Sequence, residues 1–230
     1  MFKKKPAHDA KKRWPKHQHD LVHTFGVEDY DEYWNSAPMR KGMRSIHKRM
    51  IAEIKKLVPT PANLLELGPG PGHLFKALSE AGYEMYACDV SRVALDRLNV
   101  PPERVRQANL NQGLPDYGVK FRGILAAMVL HHIDKPEPFL VQLREAVAPD
   151  GFVVLTIPNI VTLKNRMRML AGEFPELSPS HRNFMTPPEV KELLLRAKLK
   201  NVRVLAARRK PLHALSPTLF SKELILLASA

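Results

Sequence analysis

Three glycines at alternate positions follow a short apolar segment, and an acid precedes them. The run reads Glu66-x-Gly68-x-Gly70-x-Gly72. Glycine lets the backbone turn tightly and lets a ligand come close, and a loop at the mouth of a strand is where open α/β sheets bind nucleosides. Pro69 and Pro71 remove two N–H groups that a phosphate cradle would use, and the acid suits a cationic ligand. The spacing also departs from the Gly-x-Gly-x-x-Gly of dinucleotide sites, so the loop favours a nucleoside ligand that carries positive charge.

Asp89 lies 21 positions after Gly68, at the end of the next apolar segment. A carboxylate at that place can accept hydrogen bonds from both hydroxyls of a ribose. The alternative is that Asp89 only suits the positive end of a helix that begins after Ser91, a plausible N-cap. Together with the glycine loop, the position of Asp89 favours ribose binding.

Two histidines are candidates for moving a proton, because imidazole titrates near neutral pH. His132 follows the fourth apolar segment and would face the cleft; its alternative role is to cap the backbone or shape the pocket. His181 lies in a later loop, where a hydrogen bond that orders the loop is slightly preferred. His131 is expected to point away, since neighbouring strand residues alternate faces. Adjacent histidines on a strand are a poor pair of metal ligands, so no metal site is predicted.

Strand and helix patterns alternate along the chain and would place these residues at one edge of a sheet. Strands are predicted over 63–67, 83–88, 104–107, 121–130, 152–157, 202–206 and 223–228. Helices are predicted over 73–81, 91–98, 137–147 and 188–199. Such alternation is typical of an α/β fold with a doubly wound, mostly parallel sheet and helices on both faces.

Two segments stand apart from this alternation. Residues 38–57 carry Met and Ile at spacings of three and four, which predicts a helical cap over about 28–58. The basic helix of this cap could lie on a membrane surface. We favour the alternative, in which the helix packs on the domain through its apolar side. Residues 159–187 form an insert longer than a usual connection and include a predicted helix, 161–170. Because the insert leaves the carboxyl edge of a strand, it is predicted to be a lid whose apolar side lies over the cleft. The alternative is that this apolar side is buried on the sheet.

The amino-acid composition excludes a disordered, a disulfide-stapled and a membrane-spanning protein. Of the 230 residues, 44% are hydrophobic, which is enough for a folded domain over 21–230. Residues 1–20 are basic and without periodicity, so a flexible tail is predicted. One cysteine excludes a disulfide framework and a Cys-based zinc site, and without an apolar signal segment or a bilayer span a cytoplasmic location is expected. The net charge of +13 favours polyanionic or phosphorylated partners without deciding among them.

Several motifs in chain order resemble those of the class I S-adenosylmethionine-dependent methyltransferases. The glycine run resembles their first motif, and Cys88-Asp89-Val90-Ser91 resembles the acid that ends their second strand. Gln107-Ala108-Asn109-Leu110 resembles their third-strand position, which is usually Asp rather than Asn. Residues 109–115 and 124–133 are similar to the methionine-biosynthesis W and ubiquinone-biosynthesis-type branch, as is the Ile157-Pro158-Asn159 run.

The resemblance implies S-adenosylmethionine as the cofactor and no resident metal. The implied cofactor residues are Glu66, Gly68, Gly70 and Gly72 around its methionine part, Asp89 at the ribose, Asn109 and Leu110 at the adenine, and Met128 along the same pocket. The amide oxygen of Asn109 can still accept a hydrogen bond from the adenine amino group. The implied activity is methyl transfer, and the resemblance does not fix the acceptor. We expect a small-molecule acceptor, acidic or phosphorylated, that is methylated at oxygen, with His132 or His181 as the base.

Two other functions stay open at this point. An RNA methyltransferase is suggested by the basic arms, although no recognised RNA-binding module accompanies them. A cofactor-binding module without turnover gains slight support from Asn109 in place of Asp. Nucleic acid is therefore a less favoured partner than a small molecule.

Overall fold

The computed structural model of the chain describes residues 27–36, 42–173, 182–208 and 210–230. The tail predicted over 1–20 and His181 lie outside the described residues. Within them, strands and helices alternate into a seven-stranded sheet with helices on both faces. This confirms the predicted α/β class and its mostly parallel sheet.

The sheet places the predicted site residues along one edge. Its strands are β1 (Asn63–Leu67), β2 (Glu84–Asp89), β3 (Val105–Gln107), β4 (Phe121–Ala127), β5 (Val147–Pro158), β6 (Lys200–Ala206) and β7 (Glu223–Ser229). Their order is β3-β2-β1-β4-β5-β7-β6, with β7 antiparallel to both of its neighbours and the other pairs parallel. The order reverses between β1 and β4, so the carboxyl ends of these strands border a crevice.

Nine α-helices are seen in the described ranges. They are α1 (Val27–Ser36), α2 (Ser45–Leu57), α3 (His73–Glu80), α4 (Arg92–Asp96), α5 (Pro136–Ala146), α6 (Leu163–Leu170), α7 (Pro187–Arg196), α8 (Pro211–Leu215) and α9 (Pro217–Phe220). No helix in the described part of the chain is long and apolar enough to cross a bilayer.

The core lies on both faces of the sheet because strand side chains alternate. In β1, Leu64 belongs to a buried cluster with residues of α2 and α3 on one face. Leu65 and Leu67 belong to a cluster with residues of α5 and α7 on the other. Burial on both faces explains why these strands read as continuous apolar runs rather than as alternating patterns.

Two strand boundaries differ from the prediction by three or more residues. β4 ends at Ala127, because Met128 turns the backbone into the left-handed region at φ 62° and a 3₁₀ turn over Leu130–His132 follows. β5 begins at Val147 rather than at 152, since Val147 pairs with Phe121 before a shift of register. Apolar content alone cannot separate an extended segment from a buried turn. The short helices α8 and α9 were not predicted.

The two amphipathic helices outside the alternation have opposite environments. Ile46, Met50 and Ile54 of α2 are buried in the cluster on one face of the sheet, which confirms that this helix packs on the domain. In contrast, the described part of the chain buries no side chain of α6. Its apolar side is exposed and so is not buried on the sheet, whereas a position over the cleft stays a prediction.

Candidate active site

The glycine loop joins β1 to α3 at the crevice. Gly68, Gly70 and Gly72 have φ values of 64°, 50° and 74°, in the left-handed region that favours glycine. A Cβ added at Gly70 would lie 2.7 Å from the Trp34 ring, and one at Gly68 would lie 2.9 Å from Val129. The loop therefore requires glycine both for its backbone conformation and for the close approach of its neighbours.

Asp89 is buried at the carboxyl end of β2, beside this loop. Its Oδ1 accepts from the Ser91 N–H at 2.9 Å, and its Oδ2 accepts from the Gly70 N–H at 3.4 Å. Burial raises the pKa of Asp89 to about 6, although these N–H groups oppose the shift. Ser91 caps α4 as predicted, since its Oγ accepts from the Ala94 N–H at 3.1 Å. The fold thus brings the two strongest sequence motifs into direct contact.

Glu66 carries an unsatisfied buried carboxylate in the middle of the site. Its Oε2 is buried and has no hydrogen-bond partner among the described residues. Burial raises the pKa of Glu66 to about 8, and the charge of Asp89 raises it further. A buried carboxylate without a partner is costly to ionise, and a cationic ligand would remove this cost. Two acids at adjacent strand ends therefore suit a ligand with positive charge.

Helix α1 covers the loop through contacts that the sequence did not specify. Asp31 accepts from the Ser91 hydroxyl and from the Val93 N–H, the latter at 3.1 Å. These two donors, the hydroxyl first, lower the pKa of Asp31. The Arg97 guanidinium donates to the Trp34 carbonyl at 2.7 Å. The sequence predicted a helical cap over about 28–58, but not the position of this helix above Gly70.

Asn109 lies beside Asp89 at the next strand end. The Ala108 N–H donates to the Asp89 carbonyl at 3.0 Å, which keeps these segments together. Asn109 Oδ1 accepts from the Asn111 N–H at 3.0 Å in a turn that fixes the amide, and the oxygen retains a second lone pair. Leu110 packs, half-buried, against the cluster that contains Leu65 and Leu67.

Met128 ends β4 on the opposite side of the crevice. Its N–H donates to the buried Thr156 Oγ1 of β5 at 2.9 Å, which holds the left-handed backbone in place. A residue other than glycine in this conformation costs on the order of 1–3 kcal/mol, and such strain clusters at functional sites. Thr156 was not predicted as a site residue, since a lone Thr in an apolar strand gives no signal.

The adjacent histidines occupy a 3₁₀ turn instead of a strand. Strand alternation therefore does not describe them, and His131 is the buried member of the pair. It lines a small cavity with the end of β5 and with Phe184 and Met185 of the insert. His132 is half-buried, and its ring centroid lies 4.2 Å from that of His131.

The returning part of the insert is fixed to this turn. The Arg182 and Asn183 N–H groups both donate to the His131 carbonyl, at 2.8 and 3.1 Å. Arg182 also pairs with Asp134 at 2.6 Å, and the Asn183 amide donates to the Ile133 carbonyl. The insert therefore reaches the crevice through its return segment rather than through α6. His181 precedes this segment, outside the described residues.

Comparison with known proteins bears on what this crevice does. The sequence profile of a family described as a methyltransferase domain matches residues 39–204. The chain belongs to this methyltransferase family. It is 21% identical over 208 aligned residues to the ubiquinone biosynthesis O-methyltransferase of Bartonella bacilliformis, covering 79% of this chain and 83% of that protein.

Solved structures share the fold of this methyltransferase at low sequence identity. One is a SAM-dependent methyltransferase from Archaeoglobus fulgidus, which is 16% identical to this chain and superposes with a TM-score of 0.64. The match covers 87% of this chain and 100% of that chain. Another is the DhpI-SAM-HEP complex, which is 20% identical to this chain with a TM-score of 0.59. That match covers 94% of this chain and 99% of that chain.

Family and fold support S-adenosylmethionine as the cofactor, and the residues of the crevice fit it. The unpaired Oε2 of Glu66 can accept from a ligand ammonium group. Each Asp89 oxygen accepts one N–H bond and keeps lone pairs for hydroxyl groups. Gly68, Gly70 and Gly72 carry no side chain of their own that would keep a ligand away from the loop backbone.

A separate cleft lies at the other edge of the sheet. It has a volume of about 420 Å³ and is lined by residues between Gly113 and Phe121 and by the end of α5. Phe121 begins β4, so this cleft faces away from Asp89 and the glycine loop. The cleft therefore lies at the edge of the sheet opposite the cofactor residues and is not part of the candidate active site.

Proposed function

We propose that this methyltransferase moves a methyl group from S-adenosylmethionine to an oxygen of a small-molecule acceptor. The buried Oε2 of Glu66, which has no hydrogen-bond partner among the described residues, beside three left-handed glycines is the observation that carries the cofactor assignment. The relative named as an O-methyltransferase supports oxygen as the target atom.

Each cofactor residue has a proposed role that follows from its contacts. Glu66 would pair with the ammonium of the methionine part, and Asp89 would accept from the ribose hydroxyls. Asn109, oriented by its own turn, would meet the adenine edge, with Leu110 beneath it. Met128 would line the pocket at the end of β4.

The bound cofactor supplies an electrophilic methyl group on a sulfonium whose sulfur leaves uncharged, so no acid is needed. The protein must align the acceptor and exclude water. Trp34 over Gly70 and Phe184 beside His131 border the crevice from two sides and would do both. The acceptor hydroxyl must lose a proton, which requires a base.

His132 is the proposed base, and His181 is the second candidate. His132 follows the carboxyl end of β4, where Met128 also lies, and its ring contacts that of His131. An acidic or phosphorylated acceptor would suit a chain whose net charge is +13. Arg182 lies next to these histidines, although it already pairs with Asp134.

Calorimetry with S-adenosylmethionine and with NAD tests the cofactor assignment. We expect the wild type to bind S-adenosylmethionine and its demethylated product, and not NAD. Asp89→Ala should weaken binding by about 1.5–3 kcal/mol for each charge-assisted hydrogen bond lost. Asp96→Ala is a matched control, because Asp96 lies on the exposed side of α4 and pairs with Arg92 at 2.8 Å, away from the crevice. Binding of NAD alone would overturn the proposal.

A labelled methyl group identifies the acceptor class. Small-molecule and RNA fractions of a cell extract are incubated with the protein and the labelled cofactor, and each fraction is assayed. We expect label in the small-molecule fraction, in a product stable to conditions that hydrolyse esters. Label in RNA would favour an RNA methyltransferase, and cofactor binding without label in any fraction would favour a module without turnover.

A further inference from the structure

Helix α6 exposes an apolar ridge that nothing in the described chain covers. Leu163, Met167 and Leu170 lie within one side of the helix because they are spaced by four and three residues. They are 45%, 58% and 82% exposed, and Met169 is also exposed on a neighbouring side. Contiguous exposed apolar side chains of this size mark an interaction surface more often than chance exposure.

A second exposed apolar pair lies at the same edge of the sheet. Leu212 and Leu215 of α8 are 58% and 79% exposed and are spaced by three residues. α6 follows β5 and α8 follows β6, two strands that end at the carboxyl edge. The Asn159 amide at the base of α6 donates to the Thr218 and Ser221 carbonyls, at 2.7 and 2.8 Å, which ties the two segments together.

Both segments are basic and contain no acid. Residues 160–172 hold three Lys or Arg (Lys164, Arg166 and Arg168), and residues 207–222 hold four (Arg208, Arg209, Lys210 and Lys222). Neither stretch contains Asp or Glu, but Arg168 pairs at 3.2 Å with Glu173 just beyond the first stretch, so the cations that flank the ridge are Lys164 and Arg166. On α6, Lys164 and Arg166 flank the apolar ridge on its two sides. Apolar side chains with flanking cations are the pattern of helices that lie in the interface of an anionic bilayer.

We propose that α6 and α8 form a docking surface for an anionic lipid bilayer, on which the protein lies without spanning it. The apolar ridge would enter the headgroup boundary, and the flanking cations would meet lipid phosphates. A second copy of the chain fits this surface less well, since its cations would repel one another across the contact. RNA fits it less well too, because Leu and Met do not supply the stacking surfaces that single strands use. The proposal does not depend on the methyl acceptor.

Vesicle sedimentation with the full chain tests the docking surface. We expect binding to vesicles of phosphatidylcholine mixed with phosphatidylglycerol, weak binding to phosphatidylcholine alone, and loss of binding as salt is raised. Leu163→Gln with Leu170→Gln should lower the partition coefficient about tenfold or more, since two buried leucines are lost from the interface. Leu195→Gln is the matched control, because Leu195 is a half-exposed leucine on α7 outside this surface.

Further measurements on the double variant decide between the docking surface and its alternatives. Thermal melting and cofactor affinity of the double variant should equal those of the wild type, because α6 buries no side chain within the described chain. Equal vesicle binding by the wild type and the double variant would overturn the proposal. If light scattering shows dimers of the wild type and only monomers of the double variant, the ridge binds a second copy of the chain instead. Binding to mixed RNA that the double variant loses would assign it to nucleic acid.

Discussion

Helices α2 and α6 start from nearly the same sequence pattern and end in opposite environments. Both place Met, Ile or Leu at spacings of three and four among Lys and Arg. Ile46, Met50 and Ile54 of α2 are buried, whereas the corresponding side of α6 is exposed. The basic groups of α2 are also engaged, since Arg49 pairs at 2.9 Å with the buried Glu53, as does Lys56 at 3.0 Å.

The difference shows that an amphipathic pattern predicts an interface but not what occupies it. α2 lies along a sheet face that needs covering, so its apolar side completes the core. α6 lies at the carboxyl edge of the sheet, where the described chain buries none of its apolar side chains. The region around α2 and the glycine loop should therefore control stability and cofactor binding. The region around α6 should control acceptor turnover or docking.

Truncation of a buried α2 residue should have the largest effect on stability. Ile54→Ala leaves a cavity in the core and should lower the free energy of unfolding by about 2–5 kcal/mol. Leu170→Ala on α6 should change it by no more than about 0.5 kcal/mol, since the side chain is exposed. Urea denaturation of both variants gives the comparison directly. Similar losses in the two variants would mean that α6 is packed in solution.

Removal of the Glu66 charge should act on cofactor affinity rather than on the fold. Glu66→Gln should weaken S-adenosylmethionine binding by about 1.5–3 kcal/mol, the range for a hydrogen bond to a charged group. Because the pKa of Glu66 is about 8, wild-type affinity should rise with pH from 6 to 8 as the carboxylate ionises. Titration calorimetry over this range should show a steeper rise in the wild type than in Glu66→Gln, whose remaining slope would come from Asp89. Equal slopes in the two proteins would contradict a role for the Glu66 charge.

The same carboxyl group sets a pH dependence of stability. Its folded pKa of about 8 lies above its ordinary value of 4.5, so the folded state holds a proton that the unfolded state releases. The stability contributed by the neutral form is complete below pH 4.5 and is lost as pH rises through 8. Thermal melting without cofactor should show a steeper fall over this window in the wild type than in Glu66→Gln. Parallel curves would show that Glu66 titrates normally.

Changes in the insert should affect turnover at constant cofactor affinity. Phe184→Ala enlarges the cavity beside His131 and should lower acceptor turnover several-fold, while cofactor affinity stays within about twofold. Met167→Ala is the matched change on exposed α6 and should leave both unchanged if α6 serves docking alone. Steady-state kinetics and calorimetry separate the two quantities. A joint loss of turnover, affinity and stability in Phe184→Ala would make the insert a scaffold.

Deletion of residues 1–20 should have the smallest effect. The segment is basic and has no apolar periodicity that would tie it to the domain. Cofactor affinity of the shortened protein should equal that of the full chain in calorimetry. A shortened protein that folds but no longer binds the cofactor would place this segment in the site.

Much of the cofactor side was readable from the sequence because its signals are local. The left-handed glycines, the acid that ends β2 and the Ser91 cap each depend on a few neighbouring residues, and all occur where they were predicted. The order of strands and helices was readable for the same reason, since periodicity is set within each segment. The assignment of these residues to parts of the cofactor stays a prediction.

What the tertiary structure decided depends on contacts between distant segments. Only folding could place Trp34 over Gly70, make His131 the buried histidine, and dock Asn183 on the turn that follows β4. It also decided that α2 meets an apolar face while α6 does not. A sequence fixes which side of a helix is apolar through its period. Whether that side finds a partner depends on where the chain carries the helix, which local pattern does not encode.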